Sequence, residues 1–125
     1  MSDDQKPRKF DLEERTETFA RRVAGFVEKL PKGLVNIEFT KQLVRCSASV
    51  GANYIEANEA LNKKDFLMRA KICRKEAKES GYWLRLVRCP EEQRQEQAEL
   101  LQESSELLIT YSLSLITPYR SNQAP

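Results

Sequence analysis

Apolar side chains recur every three to four residues along most of the chain, the period of an α-helix that buries one face. The pattern predicts four helices, at about residues 12–30, 35–61, 63–88 and 90–116. Four such segments joined by short turns predict a single all-α domain over residues 1–125, an antiparallel up-down-up-down four-helix bundle. The predicted core positions, helix by helix, are Leu12, Phe19, Val23, Phe26 and Leu30; Thr40, Leu43, Ser47, Val50, Tyr54, Ala57 and Leu61; Phe66, Ala70, Cys73, Ala77, Leu84 and Val87; and Ala98, Leu101, Ser105, Leu108, Ser112 and Leu115.

Helix-ending and helix-starting residues separate these segments. Pro31 ends the first, and Asn62 with Asp65 three residues later is typical of a capped helix start. Pro90 suits the first position of the fourth helix. Gly51, inside the second helix, costs about 1 kcal/mol relative to alanine. We therefore expect a neighbouring helix to approach closely at Gly51.

Composition excludes several classes of protein. The chain is 40% hydrophobic and 32% charged, as expected for amphipathic helices. No apolar run approaches the roughly 20 residues that span a bilayer, so no membrane association is predicted. The polar first ten residues, expected to be frayed, lack the apolar core of a signal peptide. Three cysteines without CxxC spacing favour reduced thiols, and we predict a cytoplasmic protein.

Positive charge is concentrated in one segment. Residues 63–90 carry nine basic and three acidic side chains, a net +6, whereas residues 91–125 carry two against six. A stripe within roughly 80° of one helical face combines cations with an aromatic ring. Such a stripe suits a polyanion such as RNA or DNA, because cations replace the counterions of phosphates and the ring can stack on a base. The alternative is a solvated face that keeps the protein soluble. The stripe consists of Lys64, Lys71, Lys75, Lys78, Tyr82 and Arg85.

No catalytic site, cofactor site or metal site is predicted. The chain contains no histidine, the commonest general base and metal ligand. A di-metal helical site would need inward-facing acids, and both ExxE pairs are predicted to be solvated or salt-bridged on the surface. Cys46 and Cys73 fall on or beside core faces, where a thiol behaves as a small hydrophobe. The two ExxE pairs are Glu56/Glu59 and Glu76/Glu79.

Helices two and three carry apolar residues beyond their predicted core faces. One bundle of this size buries a single stripe per helix, so the extra residues indicate an interface between copies of the chain. The alternative is a broader core. The predicted interface residues are Ile37, Val44 and Ile55, with Ala48 between them, on helix two, and Met68, Ile72, Trp83 and Leu86 on helix three.

Several runs of residues resemble the bacterial four-helix bundle family of 23S rRNA intervening-sequence proteins. The resemblance is close over residues 19–90, and the stretches that carry it are FVEKLP at 26–31, KQLVR at 41–45, SVGANYIEA at 49–57, KKDF at 63–66 and KEAKESGYWL at 75–84. Membership implies a ring-shaped homopentamer without enzymatic activity. A related branch, the accessory variability proteins of diversity-generating retroelements, forms a similar basic barrel that binds a reverse transcriptase and nucleic acid. Cys46 and Ala48 depart from the more polar residues expected there.

Two functional hypotheses follow. In the first, the chain forms a non-enzymatic homo-oligomeric scaffold, pentameric as the family resemblance implies, that binds RNA or another nucleic acid electrostatically through the basic stripe. In the second, the same stripe contacts an acidic protein surface, and the chain is a protein–protein adaptor such as an accessory subunit for a reverse transcriptase.

Overall fold

All regular structure in the described part of the chain is helical. The computed structural model describes residues 11–116, and no strand occurs in that range. The predicted frayed start and the tail beyond residue 116 lie outside it. None of the helices within residues 11–116 is long and apolar enough to cross a membrane. The helices are α1 at Leu12–Glu28, α2 at Leu34–Asn58, α3 at Lys63–Leu86 and α4 at Arg94–Ser114, with a 3-10 turn at Glu91–Gln93 before α4.

The predicted core of α1 is confirmed. Its apolar face is buried from Leu12, which is 7% exposed, to Leu30, which is 2% exposed. The central positions of α2 and α3 are confirmed as well, because Leu43, Val50 and Leu84 are fully buried. These faces pack into one core, in which α2 lies against both α1 and α3, α3 lies against α4, and α1 contacts α4.

The predicted core face of α4 is wrong by one residue. The buried side chains are Leu100, Ser104, Leu107 and Tyr111. The predicted positions one residue further along are partly or fully exposed: Ala98, Leu101, Ser105, Leu108, Ser112 and Leu115. This helix carries two apolar stripes about 100° apart, and periodicity alone cannot choose between them.

Two predicted helix ends also differ from the structure. The second helix ends at Asn58, so Leu61 lies in the following turn and is 90% exposed instead of in the core. After Pro90 the chain first forms the 3-10 turn, and α4 begins only at Arg94. The predicted cap of α3 is confirmed, since the Asn62 side chain accepts a hydrogen bond from the Asp65 amide at 2.9 Å.

Two buried amides hold the loops onto the helices. Asn36 is 3% exposed, and its Nδ2 donates to the carbonyl oxygens of Pro31 and Arg88, both at 2.9 Å. Gln93 donates from Nε2 to the carbonyl oxygen of Phe26 at 3.1 Å. Because buried backbone acceptors need partners, these contacts hold the start of α2 to the segment after α3, and the turn before α4 to the end of α1.

The close approach expected at Gly51 is present. A Cβ atom at this position would lie 2.8 Å from Thr16 Oγ1 and 3.2 Å from Thr16 Cβ. The Thr16 hydroxyl cannot simply turn away, because it donates to the carbonyl oxygen of Leu12 at 2.7 Å. A glycine here therefore allows α1 and α2 to pack together.

Gly51→Ala is expected to lower the free energy of unfolding by about 1 kcal/mol, because the crowding at Thr16 outweighs the gain in helix propensity. The matched control is Gly25→Ala, where a Cβ atom would meet nothing within 4 Å. That variant should gain about 0.5–1 kcal/mol. Urea unfolding of both variants measures the difference. Equal stabilisation by both would contradict the packing inferred at Gly51.

Candidate nucleic-acid interface

The predicted basic stripe lies on the solvent side of α3. All of its side chains are exposed, including Tyr82 at 49%. The opposite side of the same helix is buried at Ala70, Cys73, Ala77 and Leu84. Burial of that side by α2 and α4 therefore directs the whole stripe outward.

The cations of the stripe lack acidic partners in the part of the chain that the structure describes. Within residues 11–116, none of the five forms an ion pair. On α1, by contrast, Arg15 pairs with Glu103 at 2.7 Å and Lys29 with Glu96 at 2.9 Å. The basic side chains of α1 are thus largely neutralised by acids of α4, whereas the cations of the α3 stripe remain available to an anionic ligand.

The middle of the stripe forms one wall of an open cleft of about 540 Å³ between α3 and α4. The other wall includes Leu108 and Ser112, which were predicted to be core residues. Arg74 also lines the cleft, and it was not predicted as a site residue because it lies just beyond the edge of the stripe. The cleft thus combines four cations with one apolar side chain: Lys71, Arg74, Lys75, Lys78 and Leu108.

Close packing of α3 on α4 positions this cleft. A Cβ atom at Gly81 would lie 3.1 Å from Ser104 Oγ, so the missing side chain allows the two helices to approach. Gln97 Nε2 donates to the carbonyl oxygen of Leu84 at 2.8 Å and ties the start of α4 to the end of α3. These contacts set the rotation of α4 and thereby bring Leu108 beside the lysines.

Tyr82 is suited to stacking by its exposure. Its ring lies edge-on to Trp83, with 5.0 Å between ring centroids. Trp83 in turn lies 5.9 Å from the ring of Phe39 and packs against the core. A half-buried aromatic pair therefore supports the exposed tyrosine.

The predicted self-association residues fall into two groups. Ile37, Val44, Ile55 and Met68 are 41–50% exposed. The other three, Ile72, Trp83 and Leu86, are half-buried within the fold itself. The exposed members of the predicted interface therefore lie mainly on α2, where Ala48 is exposed between Val44 and Ile55. Further exposed apolar side chains, Ile109 and Leu113, lie on α4.

The two ExxE pairs have different surroundings. Glu56 and Glu59 are exposed, as predicted. Glu76 is only 6% exposed, so its prediction as a surface acid is wrong. It lies where α2 packs over α3, and the Arg45 guanidinium of α2 lies 3.6 Å from Glu76 Oε1 and 3.6 Å from Glu79 Oε1.

None of the three thiols resembles an activated nucleophile. Burial raises the pKa of Cys46 to about 12, although Arg45 partly opposes this shift. Burial also raises the pKa of Cys73 to about 12 and, to a smaller extent, that of Cys89. All three are free cysteines, and because their pKa values are raised they remain protonated thiols at neutral pH.

Comparison with known proteins supports the fold and the family. A crystal structure of a protein of unknown function from the S23 ribosomal protein family of Bacteroides thetaiotaomicron VPI-5482 is similar, with a TM-score of 0.70 and 24% sequence identity. The match covers 84% of this chain and 98% of that one. No curated protein sequence matches the chain. The sequence profile of the family matches residues 8–110. The chain therefore belongs to the 23S rRNA-intervening sequence protein family.

Proposed function

We propose that the protein is a non-enzymatic, homo-oligomeric scaffold that binds RNA or another nucleic acid electrostatically through α3. One observation carries this proposal: the exposed cations of α3 are unpaired within the described range, and four cations converge on the cleft against α4. Phosphates would neutralise these charges and release counterions, and Tyr82 would add stacking on a base. The absence of histidine from the chain and the protonated thiols support a role without catalysis.

We infer an antiparallel up-down-up-down arrangement of the helices. Contacts between neighbouring helices run in opposite order along the chain, which supports this inference. Residues later in α1 pair with residues earlier in α4: Arg15 pairs with Glu103, Arg22 with Glu99 and Lys29 with Glu96. The same order relates α2 to α3, since Arg45 contacts Glu79 and Asn53 accepts from Arg69.

The proposed oligomer uses the apolar surface of α2, and the family resemblance suggests five subunits in a ring. Val44 and Ile55 are 43% and 50% exposed on one face of this helix. When a second copy covers exposed apolar side chains at this spacing, their removal from water stabilises the assembly. Binding sites repeated around a ring would also strengthen the hold on a long polyanion through avidity.

Val44→Glu combined with Ile55→Glu is expected to reduce the oligomer to monomers, because each subunit would bury two charges without partners in the interface. Light scattering should give a mass several times the 14.5 kDa chain for the native protein and about one chain for the variant. Lys41→Gln combined with Gln42→Glu makes the same change in net charge on exposed polar positions of α2 and should leave the mass unchanged. A monomeric native protein would contradict the proposed assembly.

The proposed function is tested by the salt dependence of binding to single-stranded RNA. Five phosphate contacts per site predict a slope of log K against log salt of about −3.5, so affinity should fall about 100-fold between about 50 and 200 mM salt. Fluorescence anisotropy of a labelled oligonucleotide measures this slope. Binding that is absent at low salt, or insensitive to salt, would contradict the proposal.

A second candidate function has one observation in its favour. Leu108 gives the basic cleft an apolar wall, and a protein partner with acidic and apolar side chains would complement both features. In that case the chain would serve as an adaptor, for example as an accessory subunit for a reverse transcriptase. A pull-down from nuclease-treated lysate that recovers a protein only with an intact α3 stripe would favour this function over the first.

A further inference from the structure

A polar cluster interrupts the packing between α2 and α3. It consists of Arg45 and Cys46 on α2 with Glu76 and Glu79 on α3. Cys46 is fully buried, Glu76 is 6% exposed and Glu79 is half-buried. The cluster lies away from the basic cleft, which α3 forms with α4.

Glu76 is inadequately satisfied in this cluster. Its Oε1 atom is buried and accepts no hydrogen bond. The nearest cation, Arg45 Nη1, lies 3.6 Å away, beyond ordinary hydrogen-bond length. Burying a carboxylate without full compensation costs free energy, so this atom is suited to a cation that approaches it more closely.

The spacing of the side chains fits a small metal ion. The Cys46 sulfur and one carboxylate oxygen from each glutamate all lie within 4.8 Å of one another. The Sγ atom of Cys46 is 3.6 Å from Oε1 of Glu79. In a tetrahedral zinc site, bond lengths of about 2.3 Å to sulfur and 2.0 Å to oxygen place such a pair about 3.5 Å apart. The third ligand atom lies within 4.8 Å of the other two, so side-chain rotation must bring it closer to complete the site.

We propose that Cys46, Glu76 and Glu79 bind one Zn²⁺ ion, with water as the fourth ligand. The thiolate favours zinc over magnesium or calcium, which prefer oxygen ligands alone. Arg45 must move aside, and its half-exposed side chain has room to do so while remaining close enough to offset the negative charge left by three anionic ligands. The ion would clamp α2 to α3. This inference does not depend on the proposed function.

Binding of Co²⁺ as a spectroscopic substitute for zinc tests the site. The purified protein, stripped of metal and kept reduced, is expected to bind one cobalt ion per chain and to show a thiolate-to-cobalt charge-transfer band that zinc abolishes. Because a cysteine thiol loses its proton when it binds zinc, zinc binding should also release about one proton, measured by calorimetry in buffers of different ionisation enthalpy.

Cys46→Ser should lose the charge-transfer band, and Glu76→Gln and Glu79→Gln should each weaken cobalt binding. Cys89→Ser is the matched control and should retain the band, since this half-buried thiol lies outside the cluster. Circular dichroism of each variant verifies that it is folded, and a variant that unfolds is replaced by Cys46→Ala. Absence of the band in the native protein, its persistence without the Cys46 thiol, or its loss in Cys89→Ser would overturn the proposal.

Discussion

Replacing Lys71, Lys75 and Lys78 together with glutamate is expected to cause a large loss of nucleic-acid affinity in this protein. The three lysines lie along one cleft with Arg74 and form no ion pairs within residues 11–116, so the change replaces free positive charge by negative charge where phosphates would lie. We expect affinity for single-stranded RNA to fall by at least about 100-fold, and the salt slope to decline from about −3.5 to about −1.4. A gel shift and an anisotropy titration measure the two quantities.

The matched control replaces Arg21, Lys32 and Lys41 with glutamate. These residues are equally exposed but lie outside α3, and the variant has the same net charge. A local binding surface predicts that the control retains most of the affinity. If both variants lost binding equally, the overall charge of the protein would be responsible, and the proposed cleft would be rejected. Unchanged binding by the α3 variant would reject it too.

The rotation of α4 leads to the second large effect. Leu107→Ala is expected to lower the free energy of unfolding by about 2–5 kcal/mol, because this side chain is fully buried and its truncation leaves a cavity. Leu108→Ala, one residue further on, should cost less than about 1 kcal/mol because Leu108 is partly exposed in the cleft. Urea unfolding monitored by circular dichroism compares the two. A larger loss for Leu108 would mean that α4 is rotated towards the face that periodicity alone suggested.

The two substitutions distinguish the exposed face of α4 from its buried face. If the cleft binds RNA, Leu108→Ala should alter binding more than stability, whereas Leu107→Ala should alter stability more than binding by the folded protein. The pair therefore tests the packing of α4 and the location of the cleft in one set of measurements. Its interpretation requires only that both variants fold at low temperature, which circular dichroism verifies.

Local signals in the sequence were sufficient for most of the fold. The helical period places the core of α1, and the pairing of Asn62 with Asp65 marks the start of α3. The outward direction of the basic stripe could be predicted too, because a helix with one apolar face must turn its opposite face to solvent. The close approach at Gly51 was predicted from an unfavourable residue inside a helix, although the partner, Thr16, was not.

Contacts between distant parts of the chain were not predictable in the same way. Asn36 and Gln93 are buried because their amides satisfy backbone carbonyl groups 52 and 67 residues away along the chain, which no local pattern reveals. Arg74 belongs to the cleft only because α4 lies beside it. Glu76 is buried only because α2 covers it and brings Arg45 and Cys46 alongside.

The amino-acid sequence by itself determined the class of fold, the number of helices and the exposure of the basic stripe, since each depends on residues a few positions apart on one helix. Tertiary structure alone decided which of the two apolar stripes of α4 enters the core, which side chains share the cleft, and which acid is buried. The physical reason is that periodicity identifies the apolar faces of a helix but not the neighbouring helices against which each face packs. When a helix has two adjacent apolar stripes, packing against α1 and α3 determines which one is buried.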